Sequence, residues 1–270
     1  MMSRPAIGIT TGSAPLSPDY VLLWLAVRRA GGAPVRLRTR RRWPSRCRPI
    51  RRVADAFTAG SGVTNSDRPL HGVLISGGKG ITGSLGRSLD CATDSGPGWR
   101  DIFECDIAQR ARAAGIPVLG ICRGAQVLSV AGHGSLHSSV QEAYRNARYP
   151  HHPLGYAFFR KRIRIAPGTL IARLTRSEML HVNSLHRQAV DRPGTGLCAT
   201  AVEENGVVQA IEDPEHPFYL GVQFHPELLY YRRPFRRIFA GLVAAAQKNA
   251  SRRTAERVER RPVAMTSLSR

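Results

Sequence analysis

Two short stretches carry residues that could do chemistry together. The first is VLGICRGAQVL, residues 118–128, where Cys122 stands between Gly120 and Gly124 at the junction of a strand-like run and a helix-like run. Gly-x-Cys-x-Gly has the form of a nucleophile elbow with cysteine in place of serine. Such an elbow needs a tight strand-to-helix turn and small neighbours, so that a substrate can reach the thiol. At a helix N-terminus the dipole and the free N–H groups favour thiolate over thiol. The same N–H groups can hold the oxyanion formed when a thiolate attacks a carbonyl. Taken alone, a cysteine in such a run is as well explained as a small buried residue in a core turn, so the reading needs a base. The second stretch, GVQFHPELL (221–229), supplies one. His225 and Glu227 flank Pro226, whose fixed backbone holds the two side chains in a defined relation. Glu227 can accept from one ring nitrogen of His225 and leave the other for the thiol.

The elements around these residues are of β-α type. AIGIT (6–10) reads as a strand, and Ser17-Pro18 as an N-cap with proline opening a helix that stops at Gly31-Gly32. PVRLR (34–38) is a second strand, parallel to the first because a helix separates them. Residues 50–59 form a candidate helix, GVLISGG (72–78) a third strand, and the Gly/Ser-rich run after it a long loop. Asp101 with Glu104 has the spacing of a capping box, with Asp as the cap, for a helix ending at Gly115. IPVLGI then leads into Cys122. The second half offers short β-runs (KRIRIA, MLHVN, LCATAVE, VVQAIED), with Asn205-Gly206 as a hairpin signal, and the buried strand YLGVQF. A closing helix over 234–247 has the apolar face Phe235, Ile238, Phe239, Leu242 and Val243. The expected class is α/β, a mostly parallel central sheet with helices on both faces and inserted short antiparallel strands. One domain is expected over 1–247, followed by a basic, disordered tail over 248–270. Cys122 and His225 both follow apolar strands, which places both at the carboxyl edge of such a sheet.

Bulk composition narrows the class. The 270 residues are 42% hydrophobic and 22% charged, ordinary values for a globular domain. No apolar run approaches a membrane span, and the N-terminus lacks the pattern of a signal peptide, so a cytoplasmic location is the expectation. The five cysteines show no C-x-x-C pair, which points to single thiols rather than a zinc or dithiol site. His133, His137, His151 and His152 lack a ligand spacing with a carboxylate companion, so neither metal nor cofactor is expected. The net charge of +21 is uneven: residues 36–52 carry nine arginines and no acid, and residues 248–270 a net of +5. That is one loop and one tail rather than a binding module, and nucleic acid is not read as the main partner.

Taken together, GICRGAQVL, HVNSLHRQAV (181–190), VEENGVVQAIE and GVQFHPE resemble the class I glutamine amidotransferase-like family. They are most similar to its γ-glutamyl amide hydrolase branch (peptidase C26 type), typified by γ-glutamyl-γ-aminobutyrate hydrolases of polyamine breakdown. The resemblance covers residues 6–246. It implies a flavodoxin-like fold, a Cys122-His225-Glu227 triad and a small γ-glutamyl amide as substrate; a second copy of the chain is a candidate partner, with the oligomeric state left open by the sequence. It implies an oxyanion hole from the N–H of Arg123 and one of Gly77 or Gly78, and a glutamyl-holding position at Gln126. Asn183, Ser184, His186 and Gln188 match a motif near the site and receive no individual step. The chain departs from the family's pattern at Ser76, where proline is common, and lacks the acidic segment that often follows. His133 stands where glycine is more usual. With Lys79 close by and little acid, the leaving group is expected to be anionic, such as a γ-amino acid, rather than a cationic polyamine. Two further readings stay open: a glutaminase subunit feeding ammonia to a synthase, and a non-catalytic protein that holds an anionic partner through its arginine segments.

Overall fold

The computed structural model describes residues 3–12, 17–37, 69–81, 98–144, 147, 149 and 159–259, and elements are numbered in chain order among these. The candidate helix at 50–59, most of the arginine-rich segment, most of the glycine-rich loop, His151, His152 and residues 260–270 lie outside the described residues.

The chain opens as the spacing requires. Strand β1 (Ala6–Thr10) leads to helix α1 (Pro18–Arg29), where the Ser17 hydroxyl accepts from the Tyr20 N–H at 3.4 Å, and then to β2 (Ala33–Leu37), parallel to β1. Strand β3 (Gly72–Ile75), helix α2 (Trp99–Ala113), strand β4 (Val118–Ile121) and helix α3 (Arg123–Ala131) continue the β-α pattern. Next come β5 (Ser135–His137), α4 (Val140–Ala143), β6 (Lys161–Ile165), α5 (Leu170–Thr175), β7 (Met179–Val182) and β8 (Ala189–Arg192). Strands β9 (Cys198–Glu203), β10 (Val208–Glu212) and β11 (Tyr219–Val222), a 3-10 turn (Pro226–Leu229) and helix α6 (Arg233–Glu259) complete it.

Among the described residues nine strands form one sheet in the order β2-β1-β3-β4-β11-β10-β9-β6-β7. From β2 to β11 every pairing is parallel, and from β11 to β7 every pairing is antiparallel. The antiparallel strands thus extend the parallel sheet instead of forming a layer of their own. Alternate residues of β3 and β4 pack on opposite faces: Leu74 and Leu119 meet α1 and α6, while Val73, Ile75 and Val118 meet α2 and α3. The expected apolar face of α6 is buried in full. Among the described residues no helix is long and apolar enough to cross a membrane.

The structure differs from expectation at three places. Helix α2 starts at Trp99, so Asp101 is not the cap; it is the third helical residue, and its Oδ2 accepts from the Gly98 N–H at 3.2 Å. Glu104 is thereby freed from capping and turned inward. Helix α6 runs twelve residues past Gln247, so the segment expected to be disordered is helical to Glu259. Asn249 Nδ2 donates to the His71 carbonyl at 3.0 Å and Arg253 to that of Leu70 at 3.4 Å, which ties this extension to the start of β3. The pair β5-β8 and the short helix α5 were not anticipated. Helix α5 is capped by the Thr169 hydroxyl, which accepts from the Ala172 N–H, and is also held from afar by Glu212, whose carboxylate accepts from the N–H groups of Leu170 and Ile171.

The β4-α3 turn is set by close backbone approach. A Cβ on Gly120 would fall 2.6 Å from the Gly124 carbonyl, and a Cβ on Gly124 would fall 2.1 Å from the Ile75 oxygen. Neither obstacle is a movable side-chain end. Gly124→Ala should therefore lower the unfolding free energy by at least about 2 kcal/mol in urea titrations, through forced separation of α3 from β3. A loss under about 0.5 kcal/mol would show that the turn relaxes freely.

Candidate active site

Strands β3, β4 and β11 are neighbours, and their carboxyl ends deliver three site segments to one edge: Ser76-Gly77-Gly78, Cys122, and Gln223 to Glu227. Cys122 sits at φ 53°, ψ −107°, a strained conformation for a residue with a Cβ, as the N-cap of α3. Its N–H donates to the Val222 carbonyl at 2.7 Å, which locks the elbow to β11. The thiol is buried yet lines a cavity of about 460 Å³.

His225 reaches this thiol past Gly77. A Cβ on Gly77 would lie 2.9 Å from His225 Cε1 and 3.8 Å from Cys122 Cβ, so only glycine leaves the ring its place. His225 Nδ1 donates to Glu227 Oε1 at 2.7 Å, and the ring lies beside Cys122, close enough for the thiol to bear on its charge. Burial by itself would lower the pKa of His225. The charges of Glu227 and Cys122 outweigh it and raise the pKa well above the usual value. The three residues expected to act together are therefore in contact, with the histidine tautomer set by the carboxylate.

Asn183 clamps the backbone of His225: its Oδ1 accepts from the His225 N–H at 2.7 Å and its Nδ2 donates to the His225 carbonyl at 3.0 Å. Gln126 projects from the first turn of α3 into the cavity. Its Nε2 donates to the Gln188 carbonyl at 2.9 Å and to Gln223 Oε1 at 3.1 Å, and its buried Oε1 has no partner among the described residues. Gln223, which the motif reading overlooked, also donates to Cys122 Sγ at 3.7 Å. Its signal was available: it is the inward residue two before His225.

Ser184 and His186 stand one layer further out. His186 Nδ1 donates to the Gln188 carbonyl at 2.8 Å, so its Nε2 is an acceptor, facing Ser184 Oγ at 3.0 Å and Gln209 Nε2 at 3.1 Å. Glu203 anchors the far side, taking hydrogen bonds from Tyr149 and Gln209, with Ser184 Oγ at 3.5 Å and Lys161 at 3.4 Å. His186 also lines the cavity. The Gln188 carbonyl is shared by His186 and Gln126, so this buried network orients Gln126.

Arg123 does not point at the cavity as a free cation. Its guanidinium is buried between Asp101 and Glu104 of α2. Its backbone N–H belongs to the first turn of α3, where no carbonyl four residues back can accept it. Gly78 lines the cavity beside it. Cys105, on the same turn of α2, is no rival nucleophile: burial and the nearby Glu104 and Asp101 carboxylates push its pKa up to about 12. Among the described residues no three His, Cys, Asp or Glu side chains are grouped to hold a metal. His137 is paired with Asp191 at 3.1 Å. His133 adopts φ 66°, which explains why glycine is common there.

Burial lowers the pKa of His186 to about 4, against the Gln188 carbonyl that favours the charged form; His225 and Lys161 lower it further. The unfolded chain takes up this proton near pH 6.5. Stability from a neutral His186 is thus complete above pH 6.5 and is lost as pH falls toward 4, by roughly 3 kcal/mol. His225, shifted the other way, loses its contribution only as pH rises through its folded pKa, above that window. Urea titrations at pH 7 and pH 4.5 should show wild type losing about 2–3 kcal/mol more than His186→Asn. Parallel losses in the two proteins would contradict a buried neutral imidazole.

The chain is similar to known proteins. A family model described as Peptidase C26 matches residues 19–227. A Mycobacterium tuberculosis protein, named provisionally as a glutamine amidotransferase, is 37% identical over 186 residues, 68% of this chain and 58% of that protein. The γ-glutamyl-γ-aminobutyrate hydrolase PuuD of Escherichia coli is 34% identical over 160 residues, 57% of this chain and 63% of the hydrolase. The matches thus span about three-fifths of each relative. Among solved structures, the CTPS glutaminase domain of Trypanosoma brucei with bound acivicin aligns with a TM-score of 0.60 at 18% identity, covering 90% of this chain and 94% of that one. At that identity the likeness speaks for the fold.

Proposed function

The chain belongs to the Peptidase C26 family, and from that premise we propose that it hydrolyses the γ-glutamyl amide bond of a small γ-glutamyl amine, γ-glutamyl-γ-aminobutyrate being the best candidate. The observation that carries this reading is the contact of Cys122, His225 and Glu227 at the base of a cavity that no acid lines among the described residues. The Cys122 thiolate attacks the γ-carbonyl carbon, and the resulting oxyanion is held by N–H groups at the start of α3 and after β3. The raised pKa of His225 keeps it protonated beside the thiolate, so it can give its proton to the leaving amine as the C–N bond breaks. A γ-glutamyl thioester remains. His225 then takes a proton from water, whose oxygen attacks the thioester and releases glutamate with the thiolate restored. Glu227 holds the ring throughout. The unpartnered Oε1 of Gln126 is a buried acceptor suited to the ammonium group of the glutamyl moiety.

The amine side follows from charge. Lys79 and Arg187 are exposed at the cavity, and neither pairs with a carboxylate among the described residues, whereas Arg123 is neutralised by two. A cavity rimmed by two cations favours a leaving group that carries a carboxylate and disfavours a second ammonium. The name of the Escherichia coli relative agrees with this choice. That of the Mycobacterium tuberculosis relative supports a second reading, a glutaminase that supplies ammonia to a synthase.

Glutamate release from γ-glutamyl-γ-aminobutyrate, γ-glutamyl-putrescine and glutamine separates these readings. Wild type should prefer the aminobutyrate amide in kcat/KM, and Cys122→Ala should lose at least about 10³-fold. The double variant Lys79→Glu, Arg187→Glu should shift the preference between the two amides by about tenfold or more toward putrescine. A wild-type preference for putrescine would remove the charge argument, and turnover of glutamine alone would favour the glutaminase.

A further inference from the structure

The reaction leaves a group of charged residues without a task. Arg100, Asp101, Glu104 and Arg123 form a charge-balanced cluster between α2 and the two loops of the site. Glu104 is fully buried and uses both oxygens. Oε1 accepts from Arg100 Nε at 2.9 Å, and Oε2 pairs with Arg123, the residue next to the nucleophile. Arg100 is stretched from this carboxylate to the end of β3. One terminal nitrogen, Nη2, donates to Ser76 Oγ at 2.9 Å and to the Gly77 carbonyl at 2.9 Å. The Ser76 hydroxyl at this position gives the guanidinium an acceptor that proline could not offer.

The peptide between Gly77 and Gly78 is planar and trans, so the Gly77 C=O and the Gly78 N–H point in opposite directions. With its oxygen held on Arg100, toward α2, the same peptide must aim the Gly78 N–H away from α2. Gly78 lines the cavity with Cys122 and Arg123. Gly77 could offer a donor only through its own N–H, on the strand side of that peptide. A pair of glycines turns easily, and without a restraint this peptide could flip and present its oxygen to the developing oxyanion.

We propose that Arg100, braced on Glu104, is a positioning residue that fixes the Gly77-Gly78 peptide so that the Gly78 N–H is the second oxyanion donor beside that of Arg123. Glu104 holds both donors at once, one through Arg100 and one through the side chain of Arg123. The proposal rests on the hydrolase reading above. Its effect falls on the transition state alone: substrate binding and the thiol itself do not need the peptide in this orientation.

Arg100 is a quarter exposed, so its replacement does not leave a large buried void. Arg100→Met keeps most of the side-chain stem and removes the donors. With γ-glutamyl-γ-aminobutyrate, or whichever amide wild type turns over best, kcat should fall about 10²-fold while KM changes less than about twofold. The rate of Cys122 alkylation by iodoacetamide should stay within about twofold, because that reaction forms no oxyanion. Arg100→Lys, which can still donate to the Gly77 oxygen, should recover at least about tenfold of the lost kcat. An unchanged kcat in active Arg100→Met would overturn the inference and leave the hydrolase reading standing. So would a fall in kcat matched by the same fall in alkylation rate and in Tm, the mark of a general structural role. A wild-type protein that releases no glutamate from any amide would end both the reading and the inference.

Discussion

The site depends on how closely helix α3 approaches strand β3. That contact is backbone against backbone, since Gly124 lies where any Cβ would strike the Ile75 carbonyl. It pulls the first turn of α3 under the end of β3 and forces Cys122 into a positive φ. The strain of that residue is sustained by the pairing of its own N–H with β11 and by the helix bonds that its carbonyl accepts from Ala125 and Gln126. The outcome is a thiol at the positive end of a helix, exposed to a cavity and flanked by backbone donors.

Around this turn the protein handles its buried charges in two different ways. Asp101, Glu104, Arg100 and Arg123 balance one another, so four ionised groups sit at the edge of the core without a net charge. His225 is instead buried against two acidic groups, Glu227 and Cys122, and their pull on the imidazolium outweighs burial and raises the histidine pKa. His186, only a few residues from Asn183 in sequence, meets the opposite condition. It is buried among neutral partners, stays uncharged, and serves as a fixed donor and acceptor. Two histidines with the same intrinsic chemistry are thus shifted in opposite directions by their neighbours alone.

The β-α reading of the first half needed only local rules. Ser17-Pro18, Gly31 and the apolar runs mark their elements through capping, left-handed turns and burial, which act over a few residues. The contact of Cys122 with His225 was also within reach, because parallel strands share a carboxyl edge and both residues follow such strands. Helix α2 was misplaced at its start because Asp101 satisfies a capping pattern equally well as cap or as third residue. Its partner Arg123 lies 22 residues away. The helical extension beyond Gln247 was read as tail because its composition is charged and lacks an apolar period. What orders it is a pair of hydrogen bonds to carbonyls some 180 residues earlier.

By itself the sequence determined the residue types and their local geometry: a cysteine forced into a glycine-lined elbow, a histidine and a carboxylate held two residues apart by proline, and the order of strands and helices that brings them to one edge. These follow from steric limits and hydrophobic periodicity, which are written in adjacent residues. Only the tertiary structure decided what each polar side chain faces. It turned Glu104 inward to two arginines, assigned Asn183 to the backbone of His225, left Gln126 Oε1 unpaired in the cavity and aimed the Gly77 carbonyl at Arg100. Those choices depend on which partners the fold places within about 3 Å, and no spacing along the chain encodes a partner that a different strand or helix must supply.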